Sequence, residues 1–194
     1  MKYTAEPLRV HHSRLMVWNG KKMSRYTIFF GLVASLFFSE ASHAQDIVLG
    51  IGYNDFNSDI SEDGGYVTAD YHAHRNWTLF GFEYGLGATG QIHETGEIFV
   101  GGGLQFRRDL GDVWFVEASV MPGYYFNNSR RNDLGSDFEI RSLMGIGRSL
   151  GNGSYVSLAL SHISNASIGS ENPGMNAISL RFHFPLSEHR QRNR

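Results

Sequence analysis

The 194 residues carry 17 Lys and Arg against 19 Asp and Glu, a formal net charge of -2, and no cysteine. That length suits one domain, and that charge gives no electrostatic case for nucleic acid as a partner. The missing thiols exclude a disulfide framework, a thiolate metal site and a cysteine nucleophile. Glycine (23) and aromatics (13%) are plentiful and proline is scarce (4), which favours twisted sheets with tight turns over a helical bundle. A mean hydropathy of -0.28 is compatible with a membrane barrel, whose polar interior averages against its apolar exterior.

At the amino-terminal end, Lys21-Lys22-Met23-Ser24-Arg25 precedes the apolar run Ile28 to Phe38, followed by Ser42-His43-Ala44 and Gln45. A positive segment, an apolar segment and a small-x-small site read as a secretory signal peptide cut after Ala44. The run is about half of the roughly 20 residues a spanning helix needs, which argues against a membrane anchor. Met1 to about Asn19 precede the charged segment as an upstream extension, with Met16 or Met23 an alternative start. The expected organisation is therefore residues 1–44 as extension and signal peptide, and 45–194 as one β domain.

In chain order, Ile47 to Asp55 alternates weakly around Gly50 and Gly52 and leads into a polar loop up to Gly65. Tyr66 to His74 sets Val67, Ala69, Tyr71 and Ala73 against Thr68, Asp70, His72 and His74. Leu79 to Gln91 sets Phe80, Phe82, Tyr84, Leu86 and Ala88 against Gly81, Glu83, Gly85 and Gly87. Ile98 to Phe106, Val113 to Tyr125 and Phe138 to Arg148 repeat the pattern, with Glu117, Glu139 and Arg141 on the non-aliphatic side. The last two runs, Tyr155 to Ser164 and Asn176 to Phe184, are joined by a loop of Asn, Gly, Ser and Pro and read as a hairpin.

These eight segments of about ten residues predict an all-β fold, an eight-stranded antiparallel transmembrane β-barrel. A soluble β-sandwich gives a similar strand count. The signal peptide, the absence of disulfides, the aromatics near strand ends (Tyr124, Tyr125, Phe126, Phe182, Phe184) and the final Phe182-x-Phe184 favour the barrel. In so narrow a barrel, Asp70, Glu83, Glu117, Glu139 and Arg141 should meet inside as a buried polar network, and a conducting pore is not expected.

Alternation puts Val156, Leu158 and Leu160 on one face with His162 and Ser164, and Asn176 in phase with Ile178, Leu180, Phe182 and Phe184. In a sandwich that face is the core; in a barrel it faces lipid. In His162-Ile-Ser164 the imidazole and hydroxyl stand side by side, so the histidine can act as base for a serine nucleophile. Asn165 can offer an amide or backbone N–H to an oxyanion. By itself H-x-S is a common pattern, and it gains meaning from standing on an apolar, lipid-facing stripe where polar groups are costly. His72 and His74 have the spacing of a metal pair on one strand face but lack a clear third ligand.

The segment Ser161-His-Ile-Ser-Asn-Ala-Ser-Ile-Gly-Ser-Glu-Asn-Pro-Gly-Met175 resembles the signature of the outer-membrane lipid A 3-O-deacylases of the PagL type, in which H-x-S-N-A opens the site and N-P-G or a variant occupies the loop. The resemblance is specific in this final hairpin and general over the rest of the chain. It implies His162 as general base, Ser164 as nucleophile and Asn165 at the oxyanion site. The family's third member is a glutamate twelve positions after the serine, where this chain has Asn176. An amide can hold the imidazole but cannot offset its positive charge, and losing the carboxylate of a serine triad costs about 10⁴ in turnover in the protease case. Glu171 is a candidate substitute acid.

The implied reaction is hydrolysis of the 3-O-linked hydroxyacyl ester of lipid A in the bacterial outer membrane, through an acylated serine. It needs no cofactor and no metal, and Leu160, Ile178 and Leu180 can lie along the acyl chain. The implied partners are lipopolysaccharide as substrate, outer-membrane lipid, and a second copy of the chain in a homodimer. The alternative function is a small barrel, catalytically impaired or non-enzymatic, that binds lipopolysaccharide or has a structural role.

Overall fold

The computed structural model describes residues 44–56, 62–128, 130–151, 153–169 and 171–186. The expected signal peptide (but for Ala44) and the polar tail from Ser187 to Arg194 lie outside the described residues. Nine strands follow one another: β1 (Ala44–Phe56), β2 (Gly64–Ala73), β3 (Trp77–Leu79), β4 (Phe82–His93), β5 (Ile98–Leu110), β6 (Trp114–Phe126), β7 (Phe138–Ser149), β8 (Tyr155–Ser164) and β9 (Met175–Pro185). Except for β2 and β3, each pairs antiparallel with its sequence neighbour, β1 pairs β9, and β2 pairs β4 past the short β3, so the sheet closes on itself.

The barrel has eight staves, because β2 and β3 form one of them. Tyr66 faces His93 and His72 faces Gly87, yet Trp77 faces Tyr84, so the register slips by two residues between His72 and Trp77. The slip corrects one expectation. His74 leaves the inner face and is exposed, so His72 and His74 do not share a side of the sheet.

A second correction concerns Leu79 to Gln91, which is not one strand. Leu79 pairs Phe82 across a two-residue turn in which Phe80 (φ 49°) and Gly81 (φ 79°) are both left-handed, as a type I′ hairpin requires. Phe80 therefore sits at an exposed tip, and Glu83, beside the turn, is exposed instead of joining the interior network.

Elsewhere the alternation holds stave by stave. Leu49, Ile51, Val67, Leu104, Val120, Met144, Ile146, Leu158, Leu160, Ile178 and Leu180 point outward and are exposed, while Thr68, Asp70, Gln91, Gln105, Glu117, Arg141, Ser157 and Arg181 point inward and are buried. Apolar outside and polar inside is the pattern a barrel needs to stand in lipid, where strands leave no backbone edge unpaired.

The interior is filled by ion pairs. Asp70 meets Arg181 at 2.9 Å and Arg141 at 3.3 Å, Arg181 reaches Glu117 at 3.3 Å, and Ser157 and Thr89 each donate to one of these carboxylates at 2.6 Å. Glu139 is the exception: it is fully buried and neither carboxylate oxygen has a partner among the described residues.

Connections at one end are short (residues 80–81, 111–113 and 150–154), whereas the other end carries, beside the short 94–97, the two longest, residues 127–137 and 165–174. Aromatics ring both ends. Trp77, Tyr84 and Phe106 are in contact in series at the short-turn end, and Tyr124 meets Phe126 at 4.6 Å at the other. In outer-membrane barrels short turns face the periplasm and long loops the cell exterior.

Candidate active site

His162 and Ser164 belong to the last turn of residues of β8 before the longest-loop end, and both point out of the barrel. His162 is exposed and Ser164 half-buried, while Ser161, Ile163 and Asn165 between and beside them turn inward and are buried. Strand pairing brings the third residue alongside, since His162 stands directly opposite Asn176 on β9. The His162 Nδ1 to Asn176 Oδ1 distance is 2.9 Å. A carbonyl oxygen only accepts, so Nδ1 carries the proton in this pair and Nε2 is left with its lone pair. In the neutral ring that lone pair lies on the side away from Asn176. Among the described residues no hydrogen bond joins Ser164 to His162; such bonds commonly tighten when substrate docks.

The loop after β8 is fastened at several points. Gly174 is left-handed (φ 69°), and a Cβ there would lie 2.9 Å from His162 Cε1, so only glycine lets the loop backbone lie against the imidazole. Gly135 of the β6–β7 connection approaches as closely: a Cβ on it would meet the Glu171 carbonyl oxygen.

Asn165 ties these two connections together, and its position changes the role expected of it. Its side-chain amide donates to the backbone carbonyls of Leu134 (3.1 Å) and Glu171 (2.7 Å), and its backbone N–H donates to Asn172 Oδ1 at 3.1 Å. With every donor committed and the side chain fully buried, Asn165 has none left for an oxyanion. Its carbonyl accepts from Ile168 N–H at 3.0 Å, closing a turn whose central residues Ala166 (φ 52°) and Ser167 (φ 62°) are both left-handed. Two non-glycine residues in that region next to a serine on the outer face are an uncommon arrangement. Among the described residues, the N–H groups of Ala166 and Ser167 donate to nothing.

Glu171 is not brought to the imidazole. Its backbone carbonyl holds Asn165, and its side chain lines an open pocket of about 330 Å³ with Asp133 and Asp137. Asn176 fills the position beside Nδ1 instead.

At the short-turn end, strand closure assembles a cluster that spacing along one strand does not reveal. Asp46, His72 and His183 have ligand-type atoms within 4.8 Å of one another in the buried lumen. Arg75, from the register slip, already pairs with Asp46 at 3.3 Å and donates to Gln105 at 2.9 Å, and His183 shares Ser157 and Glu117. A cation would have to displace that guanidinium, so the cluster is part of the interior ion network.

Residues 47–185 match the family model described as lipid A 3-O-deacylase (PagL). Among curated proteins no match is found. The solved structures similar to this chain include the crystal structure of the outer membrane enzyme PagL, 19% identical, with a TM-score of 0.62 over 73% of this chain and 99% of that one. They also include a de novo designed transmembrane β-barrel (8%, TM-score 0.49, 74% and 96% covered) and neisserial surface protein A (10%, TM-score 0.49, 71% and 94% covered). The family model spans nearly all of the barrel, hairpin signature included, and on that match the chain belongs to the lipid A 3-O-deacylase (PagL) family.

Proposed function

We propose that this protein hydrolyses the 3-O-linked hydroxyacyl ester of lipid A from the outer face of an outer-membrane barrel, with Ser164 as nucleophile, His162 as base and Asn176 as the group that orients the imidazole. The observation that carries this reading is the 2.9 Å contact between His162 Nδ1 and Asn176 Oδ1 on the lipid-facing surface, with the Ser164 hydroxyl next but one along the same strand. Nothing in the packing of a barrel calls for a histidine, a serine and an asparagine there, since lipid offers them no compensating partner.

In this scheme Nε2 takes the proton of the Ser164 hydroxyl as Oγ bonds to the ester carbonyl carbon. The carbonyl oxygen becomes an oxyanion, which we assign to the N–H groups of Ala166 and Ser167, since these follow the serine and have no acceptor among the described residues; Asn165 acts through them by fixing the turn. Collapse of the tetrahedral species breaks the bond to the lipid A 3-oxygen, which takes the proton back from Nε2. Water, deprotonated by the same nitrogen, then bonds to the acyl carbon; the bond to Ser164 Oγ breaks, Oγ takes that proton back from Nε2, and the acyl group leaves as a free hydroxy acid.

The location suits the substrate. The site lies at the long-loop rim, and an acyl chain can rest on the exposed Leu160, Ile178 and Leu180 without leaving the bilayer. The test is release of a 3-hydroxy fatty acid from lipid A by the purified full-length chain in detergent micelles, followed by mass spectrometry. Release that stops in Ser164→Ala and His162→Asn supports the assignment; equal release by Ser164→Ala refutes it.

A further inference from the structure

Resting on that reading, we propose that Asp55 is a positioning residue for the site, supplying the carboxylate that the row beside Ser164 otherwise lacks. Closure of the barrel sets β1 against β9, and in that register Asp55 stands directly opposite Asn176. Asn176 in turn stands directly opposite His162 on its other side, and His162 opposite Ser142 of β7. Asp55, Asn176, His162 and Ser142 therefore form one outward-facing polar row across four adjacent staves, all four exposed. Below that row the outward positions are apolar: Tyr53 faces Ile178, Ile178 faces Leu160 and Leu160 faces Met144.

Asp55 and Asn176 have complementary unused groups. Asn176 spends its carbonyl on His162 Nδ1, and among the described residues its Nδ2 donates to nothing. The Asp55 carboxylate likewise accepts from no described residue. Directly opposed side chains have Cβ atoms about 5 Å apart, and both polar ends are two bonds beyond Cβ, so rotation about the side-chain torsions brings carboxylate and amide N–H together. At the rim of a bilayer, leaving each unpaired is costly, and pairing them removes both costs.

The consequence reaches the imidazole through the amide. A carboxylate accepting from Nδ2 fixes which way the amide faces, keeps Oδ1 on His162, and polarises the amide so that Oδ1 is a stronger acceptor. When Nε2 takes the serine proton, the imidazolium keeps its Nδ1 proton on Asn176 and has a negative charge one side chain further along the row. Asn176 and Asp55 together then do what a single glutamate does elsewhere in the family.

The experiment is steady-state deacylation of lipid A by the purified full-length chain in micelles, with heat-modifiable gel mobility as the check on folding. Asp55→Ala is expected to lower kcat about tenfold with KM within twofold, and Asp55→Glu to retain most of the activity. Placed on Asn176→Glu, which carries its own carboxylate, Asp55→Ala is expected to cost nothing. A kcat for Asp55→Ala within twofold of the parent, while Ser164→Ala is inactive, overturns the proposal and leaves the reading of the site standing. An equal loss in both backgrounds also overturns it, since Asp55 would then act on folding. An active Ser164→Ala removes the site beneath it and the proposal with it.

Discussion

The two sides of the barrel wall handle polar residues in opposite ways. Inside, Asp70, Arg141, Arg181, Glu117, Ser157 and Thr89 are buried and pair with one another, so that charge is matched by charge within a closed set. Outside, His162, Ser164, Asn176 and Asp55 stand on a surface built of Leu, Ile, Val and Met, and among the described residues the contact between these four side chains is that of His162 with Asn176. Each member of that inner set has a partner within it, whereas among the described residues the second imidazole nitrogen, the Ser164 hydroxyl and the N–H groups of Ala166 and Ser167 have none. Polar groups in the lumen hold the staves together, and those on the lipid face are the ones the proposed reaction uses.

The comparison is broken most sharply by removing the outer hydroxyl. Ser164→Ala should lower deacylation at least about 10³-fold, since residues acting as a unit fail together, while leaving heat-modifiable mobility unchanged. On the inner side, Arg181→Met strips both Asp70 and Glu117 of a partner and should destabilise the barrel by about 3–5 kcal/mol, seen as a lower urea midpoint in micelles, with turnover per folded molecule unaltered. Gly174→Ala drives a methyl against the imidazole and needs a left-handed backbone, so kcat should fall about tenfold, with folding intact. The smallest effect is expected at Glu139, whose carboxylate is buried without a described partner. Glu139→Met removes the two unpartnered carboxyl oxygens at similar volume and should raise stability by about 1 kcal/mol, read as a higher urea midpoint in micelles.

Much of this was legible in sequence because a barrel writes itself in period two. The outward phase of His162, Ser164 and Asn176 followed from counting along two strands, as did the inward phase of Asp70, Glu117 and Arg141. What failed were departures from that period. Phe80-Gly81 makes a type I′ turn without the Asn-Gly or Asp-Gly chemistry that would announce it, so the end of one stave reads as the start of the next. The slip between His72 and Trp77 leaves no signature in residue type, yet it turns His74 outward and delivers Arg75 to Asp46. Non-local partners were equally hidden: that Asp55 faces Asn176 depends on the first and last staves closing in one register. Asn165 looked like an oxyanion donor because it follows the serine, and only the fold reveals that Leu134, Glu171 and Asn172 use up its donors.

The claim that the outer face alone carries the reaction meets its most direct test in two serines three residues apart on β8, Ser161 buried toward the lumen and Ser164 outside. Lipid A would be analysed by mass spectrometry from outer membranes holding equal amounts of folded Ser161→Ala or Ser164→Ala barrel. The account predicts loss of one hydroxyacyl chain with Ser161→Ala, as in the parent, and intact lipid A with Ser164→Ala. Intact lipid A with Ser161→Ala, or loss of the chain with Ser164→Ala, would contradict it.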